Sequence, residues 1–216
     1  MSHGRFGLVD VQPRQGLYRN LFKRPFDLIA VFATSIIVLP LVALLALLVA
    51  LDGSSPFYLN ERVGRGGRTF RMLKLRTMVP NADTLLENYL NSNAEARLEW
   101  DSTQKLKSDP RITRIGRFLR KTSLDELPQL WNVLNGEMSL VGPRPMMPSQ
   151  RGLYTGTAYY ALRPGLTGPW QVSDRNESTF SRRAEYDRDY DRNLSFVNDM
   201  RLMVATVGVV LRGTGY

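Results

Sequence analysis

The stretch SLDEL places Asp125 directly beside Glu126. Two adjacent carboxylates at a helix start lie near the positive end of its dipole. That favours the ionised form, which a carboxylate nucleophile or a Mg2+ ligand needs. A structural role competes. Ser123 and Glu126 have capping-box spacing, in which the glutamate reaches back to the cap. Pro128 weakens that reading, because a helix begun at Leu124 loses an early hydrogen bond there. Basic residues in stiff backbone accompany the pair. Arg144 stands between two prolines in GPRP, Arg111 follows Asp109-Pro110, Arg163 precedes Pro164-Gly165, and Arg175 follows the loop PGLTG. Lys74 and Arg76 alternate onto one face of a predicted strand. Guanidinium forks match phosphate oxygens and lose less entropy when preorganised. Carboxylates, arginines and a membrane anchor together suggest phosphoryl chemistry on an amphiphilic substrate.

Composition narrows the alternatives. The 216 residues carry 29 Lys plus Arg against 20 Asp plus Glu, so anionic partners are favoured: phosphates, nucleic acid or an anionic lipid surface. There is no cysteine, which removes disulfides, thiol nucleophiles and thiolate metal sites. The only histidine is His3, in a tail rich in Gly and Arg, so a Ser-His-Asp triad or a His-based zinc site has no material. Carboxylates and a hard metal ion remain as chemical tools.

The elements that must position these groups begin with an apolar run over residues 28–51, free of charge and 24 residues long. A membrane span needs roughly 20. Pro40 falls near its centre, where it removes a helical hydrogen bond and crowds the carbonyl four residues back. The run starts late and is too long for a signal peptide. A buried core helix and a kinked span are both open, but the flanks favour a third course. Arg5, Arg14, Arg19, Lys23 and Arg24 precede the run, and Arg62, Arg65, Arg68, Arg71, Lys74 and Arg76 follow it. Basic flanks prefer the cytoplasmic side. A re-entrant helix-break-helix hairpin keeps both there, each arm of about 12 residues reaching roughly 18 Å, near mid-bilayer. Ser35 is placed to help satisfy backbone groups freed at the break.

Downstream, residues 57–78 predict two short strands around Gly66-Gly67, and residues 81–100 predict helix. Residues 111–121 form a basic amphipathic helix with Ile112, Ile115, Phe118 and Leu119 on one face, suited either to the headgroup layer or to a core stripe. Residues 124–134 have helical spacing. Residues 142–150 and 163–170 are loops dense in Gly and Pro. Residues 199–212 are apolar but too short to span, so they pack on the domain or lie at the interface. The expected fold is α+β and mostly helical: a basic tail over 1–22, a re-entrant hairpin over 23–56, and a loop-rich catalytic domain over 57–216.

Several stretches resemble the monotopic phosphoglycosyl transferases of bacteria, the polyprenyl-phosphate sugar-phosphate transferases. They are FKRPFD, FRMLKLRTM, the long block SDPRITRIGRFLRKTSLDELPQLWNVLNGEMSLVGPRP, and RPGLTGPWQV followed by DRN. The likeness is strongest to short exopolysaccharide-initiating members. It implies transfer of a sugar-1-phosphate from a UDP-sugar, galactose or glucose before N-acetylated or deoxy-sugars, to undecaprenyl phosphate, with UMP leaving. It also implies that Asp125 is the nucleophile, forming a phosphosugar-enzyme intermediate, that Glu126 completes the dyad, and that Mg2+ is held there. Lys74, Arg76, Arg111, Arg144, Arg163 and Arg175 are the candidate phosphate and nucleotide ligands. Lys23, Arg24, Asp27, Leu39 and Pro40 are the candidate anchor residues. The active site and both termini are expected at the cytoplasmic face of the inner membrane, among membrane lipids. Where relatives carry Ser-Pro at the break, this chain has Leu39-Pro40, and Asp174 stands where they commonly have Gly. A homodimer is compatible with the sequence.

Two other classes compete. The charge would allow a nucleic-acid binder, but no recognised motif is present and the basic residues flank an apolar segment, so no nucleic-acid partner is expected. A non-enzymatic scaffold on anionic lipid would leave Asp125 dispensable.

Overall fold

The computed structural model describes residues 14–103, 106–173 and 180–211. The long apolar run is helical. A π-helical turn, Tyr18–Phe22, leads into α1, Lys23–Ala50. The helical path therefore begins inside the predicted tail. Helical structure continues through Pro40 without interruption, where the sequence predicts two arms separated by a break. Ser35 donates to the Phe32 carbonyl at 2.7 Å, not to the Ile36 carbonyl that Pro40 leaves without its partner.

One face of α1 meets the rest of the protein. Asp27, Val31, Leu45 and Val49 are buried, at helical spacing. The other face is apolar and bare, with Ile29, Phe32, Ile36, Ile37, Leu39 and Leu47 exposed. So large an apolar surface marks an interaction with lipid or another protein. The helix is long and apolar enough to cross a membrane.

Three charged residues fasten the start of α1. Lys23 Nζ lies 2.7 Å from Asp199 Oδ2. Arg24 donates to the carbonyls of Val133 and Leu134 at 2.5 and 2.9 Å. The Asp27 carboxyl accepts from Ser139 Oγ at 2.8 Å and the Leu140 amide at 3.1 Å.

An antiparallel hairpin follows, β1 Phe57–Val63 and β2 Thr69–Leu75, turning at Gly66 and Gly67 as predicted. The predicted helix over 81–100 is two helices, α2 Ala82–Ser92 and α3 Ala94–Thr103, parted at Asn93, which is extended and caps the Ala96 amide. The basic amphipathic helix is α4, Arg114–Thr122, begun by Thr113, whose hydroxyl accepts from the Gly116 amide. A Cβ on Gly116 would stand 2.0 Å from the Thr77 carbonyl oxygen, so only glycine lets α4 lie this close to the strand end. Leu119 and Ile115 pack against Leu45, Val49 and Leu75, making that face a core stripe, while Phe118 stays exposed.

The dyad segment is a 3-10 stretch, Leu124–Gln129, that accommodates Pro128 and leads into α5, Leu130–Leu134. β3 Ser139–Val141 pairs in parallel with β4 Gly165–Thr167, and α6, Ala158–Ala161, lies between them in sequence. Gly142 lets GPRP meet the RPG loop: its Cβ would be 2.3 Å from the Arg163 carbonyl oxygen. The chain closes with α7 Pro169–Val172, α8 Arg183–Arg192 and α9 Phe196–Leu211. Fully buried Asp199 holds α9 to the rest, accepting from Tyr18, Lys23 and Tyr190 at 2.6–2.8 Å. The main core joins Val31 of α1 with Phe70, Met72, Val133, Met138, Leu140 and Leu202.

Candidate active site

Ser123 decides between the two readings of SLDEL. It sits in the left-handed region at φ 56, as the residue that ends α4, and its side chain caps nothing. No capping box forms. Glu126 Oε1 instead lies 2.6 Å from Lys74 Nζ. The same ammonium is 3.7 Å from Asp125 Oδ2. Lys74 reaches both carboxylates because the 3-10 segment lies against β2.

The dyad's place on β2 is set by Asn132. Its side-chain amide accepts from the Leu73 amide at 2.9 Å and donates to the Arg71 carbonyl at 2.8 Å. A residue of a third strand would make the same two bonds. Asn132 is 2% exposed, so these partners are its substitute for water.

Asp125 is 8% exposed. Burial raises its pKa above the ordinary carboxylate range; Lys74 pulls it back down, Glu126 pushes it up, and Arg120 pulls it down again. Arg120 comes from α4, where its Nε donates to the Thr77 hydroxyl at 2.9 Å. Asp125 is thus a largely dry carboxylate facing one like charge and two cations.

A second basic group stands beyond Glu126. Burial and the like charge of Arg144 hold the Arg62 guanidinium below its ordinary range, while Tyr159, Tyr58 and Glu126 oppose them. Arg183 is brought down to about 10 by burial and by Arg144. Arg183 stacks over the Trp170 ring at 4.1 Å and Arg144 lies over it at 5.5 Å. The Nε atoms of Arg62 and Arg183 are buried without a hydrogen-bond partner among the described residues. Three guanidinium groups held together, two of them with that unmet bond, suit a polyanion.

The predicted ligands divide. Lys74 meets both carboxylates of the dyad, and Arg144 joins the basic group through Arg62, on which Glu126 also acts. Arg76 does neither: it ties the end of α1 down, bonding the carbonyls of Val49, Ser55 and Met78 and the Asp52 carboxylate. Arg111 is buried in a fork with Asp109, 2.7 Å at its shortest, and lies over Trp100. Arg163 donates to the Gly136 carbonyl at 2.8 Å and faces a separate cavity with Arg24. Arg175 and Asp174 lie outside the described residues. Of the anchor residues, Lys23, Arg24 and Asp27 bind the domain, whereas Leu39 and Pro40 are on the exposed part of α1. Sequence reasoning did not single out Arg62, Arg120, Arg183 or Asn132 for the site. The first three were visible only as members of basic stretches, and no local spacing marked Asn132.

A Mg2+ ion draws on one or two carboxylates and takes its remaining oxygens from substrate phosphates and water. Asp125 and Glu126 meet that requirement. Among the described residues, no group of three or more acidic, His or Cys side chains forms a fuller cage.

The bacterial sugar transferase family model matches residues 18–213. The chain is 50% identical over 198 residues to the UDP-galactose-lipid carrier transferase of Erwinia amylovora, covering 91% of this chain and 42% of that protein. It is 46% identical to the undecaprenyl-phosphate galactose phosphotransferase of Salmonella typhimurium, covering 91% and 42%. It is 44% identical to the exopolysaccharide production protein ExoY of Sinorhizobium fredii, covering 91% and 88%. The chain therefore spans less than half of the two longer relatives and most of the shorter one. The segment carrying the dyad, Asn132 and the arginines lies within all that is matched, and the chain belongs to the bacterial sugar transferase family.

Proposed function

We propose that this chain transfers a sugar-1-phosphate from a UDP-sugar to undecaprenyl phosphate and releases UMP, as the first membrane step of exopolysaccharide or related glycoconjugate synthesis. The carrying observation is Asp125: a nearly dry carboxylate flanked by Glu126, Lys74 and Arg120. An Asp125 oxygen attacks the phosphorus that bears the sugar. The bond from that phosphorus to the bridging oxygen breaks, and UMP departs with the electron pair. A phosphate oxygen of the polyprenyl acceptor then attacks the same phosphorus, and the bond to Asp125 breaks. Two displacements let one site serve a water-soluble donor and a lipid acceptor in turn.

Lys74 favours the ionised form of Asp125 against burial and pairs with Glu126. Arg62, Arg144 and Arg183 receive the diphosphate and nucleotide side of the donor. Asp125 and Glu126 would hold Mg2+, which supplies charge neutralisation to the diphosphate when bound. The names of two relatives favour galactose as the sugar, with glucose next. The acceptor places the site at a membrane surface, and α1 supplies the anchor. Basic flanks on both sides of the apolar segment support a re-entrant course, with both termini at the cytoplasmic face of the inner membrane.

Asp125→Asn in purified, membrane-reconstituted protein should abolish UMP release while folding and membrane association persist. Wild type given radiolabelled UDP-sugar without acceptor should accumulate a labelled protein adduct. Near-normal turnover by the variant removes the nucleophile assignment and favours a scaffold. Absence of adduct and of ping-pong kinetics favours a single displacement.

A further inference from the structure

At the other end of the hairpin from the dyad lies a cavity of about 310 Å3. Its lining includes Arg19, Lys23, Arg24, Arg65 and Arg163, against the single acid Asp27. The separation follows from register. Lys74, which holds the dyad, is paired with Tyr58, and Arg65 stands in the turn. Arg65 is seven residue steps along the chain from Tyr58, roughly 23 Å at about 3.3 Å each.

The charges in this cavity are unbalanced. Arg19 is matched by Asp191 at 2.7 Å and Lys23 by Asp199 at 2.7 Å. Asp27 is committed to Ser139 and Leu140. Arg24 and Arg163 bond only backbone carbonyls among the described residues, and Arg65 is exposed. Among the described residues, no carboxylate lies within ion-pair distance of these three. They are close enough that Arg65 and Arg24 both depress the Arg163 guanidinium, after burial. A bound anion would relieve that repulsion.

The surroundings identify its source. The cavity is lined by Arg19, Asn20, Lys23 and Arg24 from the same helical turns that carry exposed Leu17, Leu21 and Phe22, with Ile29 and Phe32 exposed farther along the helix. A phosphate seated among the arginines could therefore leave its acyl chains on an apolar surface. We propose that this cavity binds the phosphate of an anionic phospholipid, at a site separate from the transfer centre, and so fixes how deep the domain sits at the membrane. This rests on the membrane reading of α1.

The test uses the full chain and Arg65→Glu, a substitution at an exposed side chain with no hydrogen bond among the described residues. Thermal unfolding is followed in zwitterionic micelles with increasing phosphatidylglycerol. Wild type should be stabilised, and Arg65→Glu should need about tenfold more lipid, the size expected for one lost charge-assisted contact. Arg117→Glu, an exposed charge reversal on α4, controls for surface charge and should respond like wild type. Equal lipid dependence in all three proteins overturns the site. Equal stabilisation by inorganic phosphate alone overturns the lipid assignment in favour of a soluble anion. Co-sedimentation with phosphatidylcholine vesicles tests α1 separately: failure of wild type to sediment sinks the membrane reading, whereas sedimentation without Arg65 dependence sinks only the cavity.

Discussion

Lys74 Nζ lies 2.6 Å from Glu126 Oε1, so one ammonium on a strand holds the outer carboxylate of the dyad while standing 3.7 Å from the inner one. Removing that cation leaves Asp125 with burial and Glu126 raising its pKa and only Arg120 among the side-chain charges lowering it. Lys74→Met should therefore shift the acid limb of kcat/KM to higher pH and lower the plateau by tenfold or more. A pH–rate profile of UMP release checks this. An unmoved limb would separate Lys74 from the ionisation of Asp125.

The arginines around Trp170 give a second expectation. Arg144→Ala and Arg183→Ala should each lower kcat/KM for the UDP-sugar by about 10–100-fold, the scale of one charge-assisted phosphate contact. The loss should appear when donor concentration is varied, with membrane association unchanged. Unaltered donor kinetics would remove this basic group from the site.

Asn132 should matter to both stability and turnover. Asn132→Ala leaves the Leu73 amide and Arg71 carbonyl without their side-chain partner, at about 1–3 kcal/mol for each buried group left unsatisfied. Denaturation should show the loss. Turnover should fall more than donor KM rises, because the 3-10 segment carrying Asp125 loses its tie to β2. Wild-type kcat in a folded Asn132→Ala protein would contradict that role.

Asp187 supplies a pH dependence. Burial pushes its carboxyl up to about 7, against the Tyr154 hydroxyl and Arg183. The folded chain then keeps a proton that the unfolded chain releases near pH 4. Stability from this group is full below that pH and declines as pH rises towards about 7. Asp187→Asn still offers Tyr154 an acceptor and cannot ionise. Its melting temperature relative to wild type should increase between pH 5 and pH 8. A pH-independent difference would contradict the assignment.

Much of this was legible in the sequence, for local reasons. Gly66-Gly67 marks the hairpin, helical spacing marks the inward face of α4, and the two carboxylates adjoin one another. The capping-box reading failed because Ser123 serves the helix behind it rather than the one ahead. Its left-handed backbone is a property of the junction, which spacing alone does not reveal. Arg62 and Arg183 meet across 121 residues of chain, from β1 and α8. Arg76 on its predicted strand face and Arg111 in stiff backbone look like phosphate ligands, yet each has carboxylate and carbonyl or aromatic neighbours that a linear pattern does not display.

Asn132 also changes what the hairpin can do among neighbouring copies of the chain. A two-stranded ribbon normally leaves an outer rim of amides and carbonyls, where a second molecule can add a strand and start an aggregate. Here a single side chain closes the middle of the β2 edge from within, at Arg71 and Leu73. The β2 edge, against which the segment carrying Asp125 and Glu126 lies, is thus kept from serving neighbouring copies as a template for fibril-like stacking.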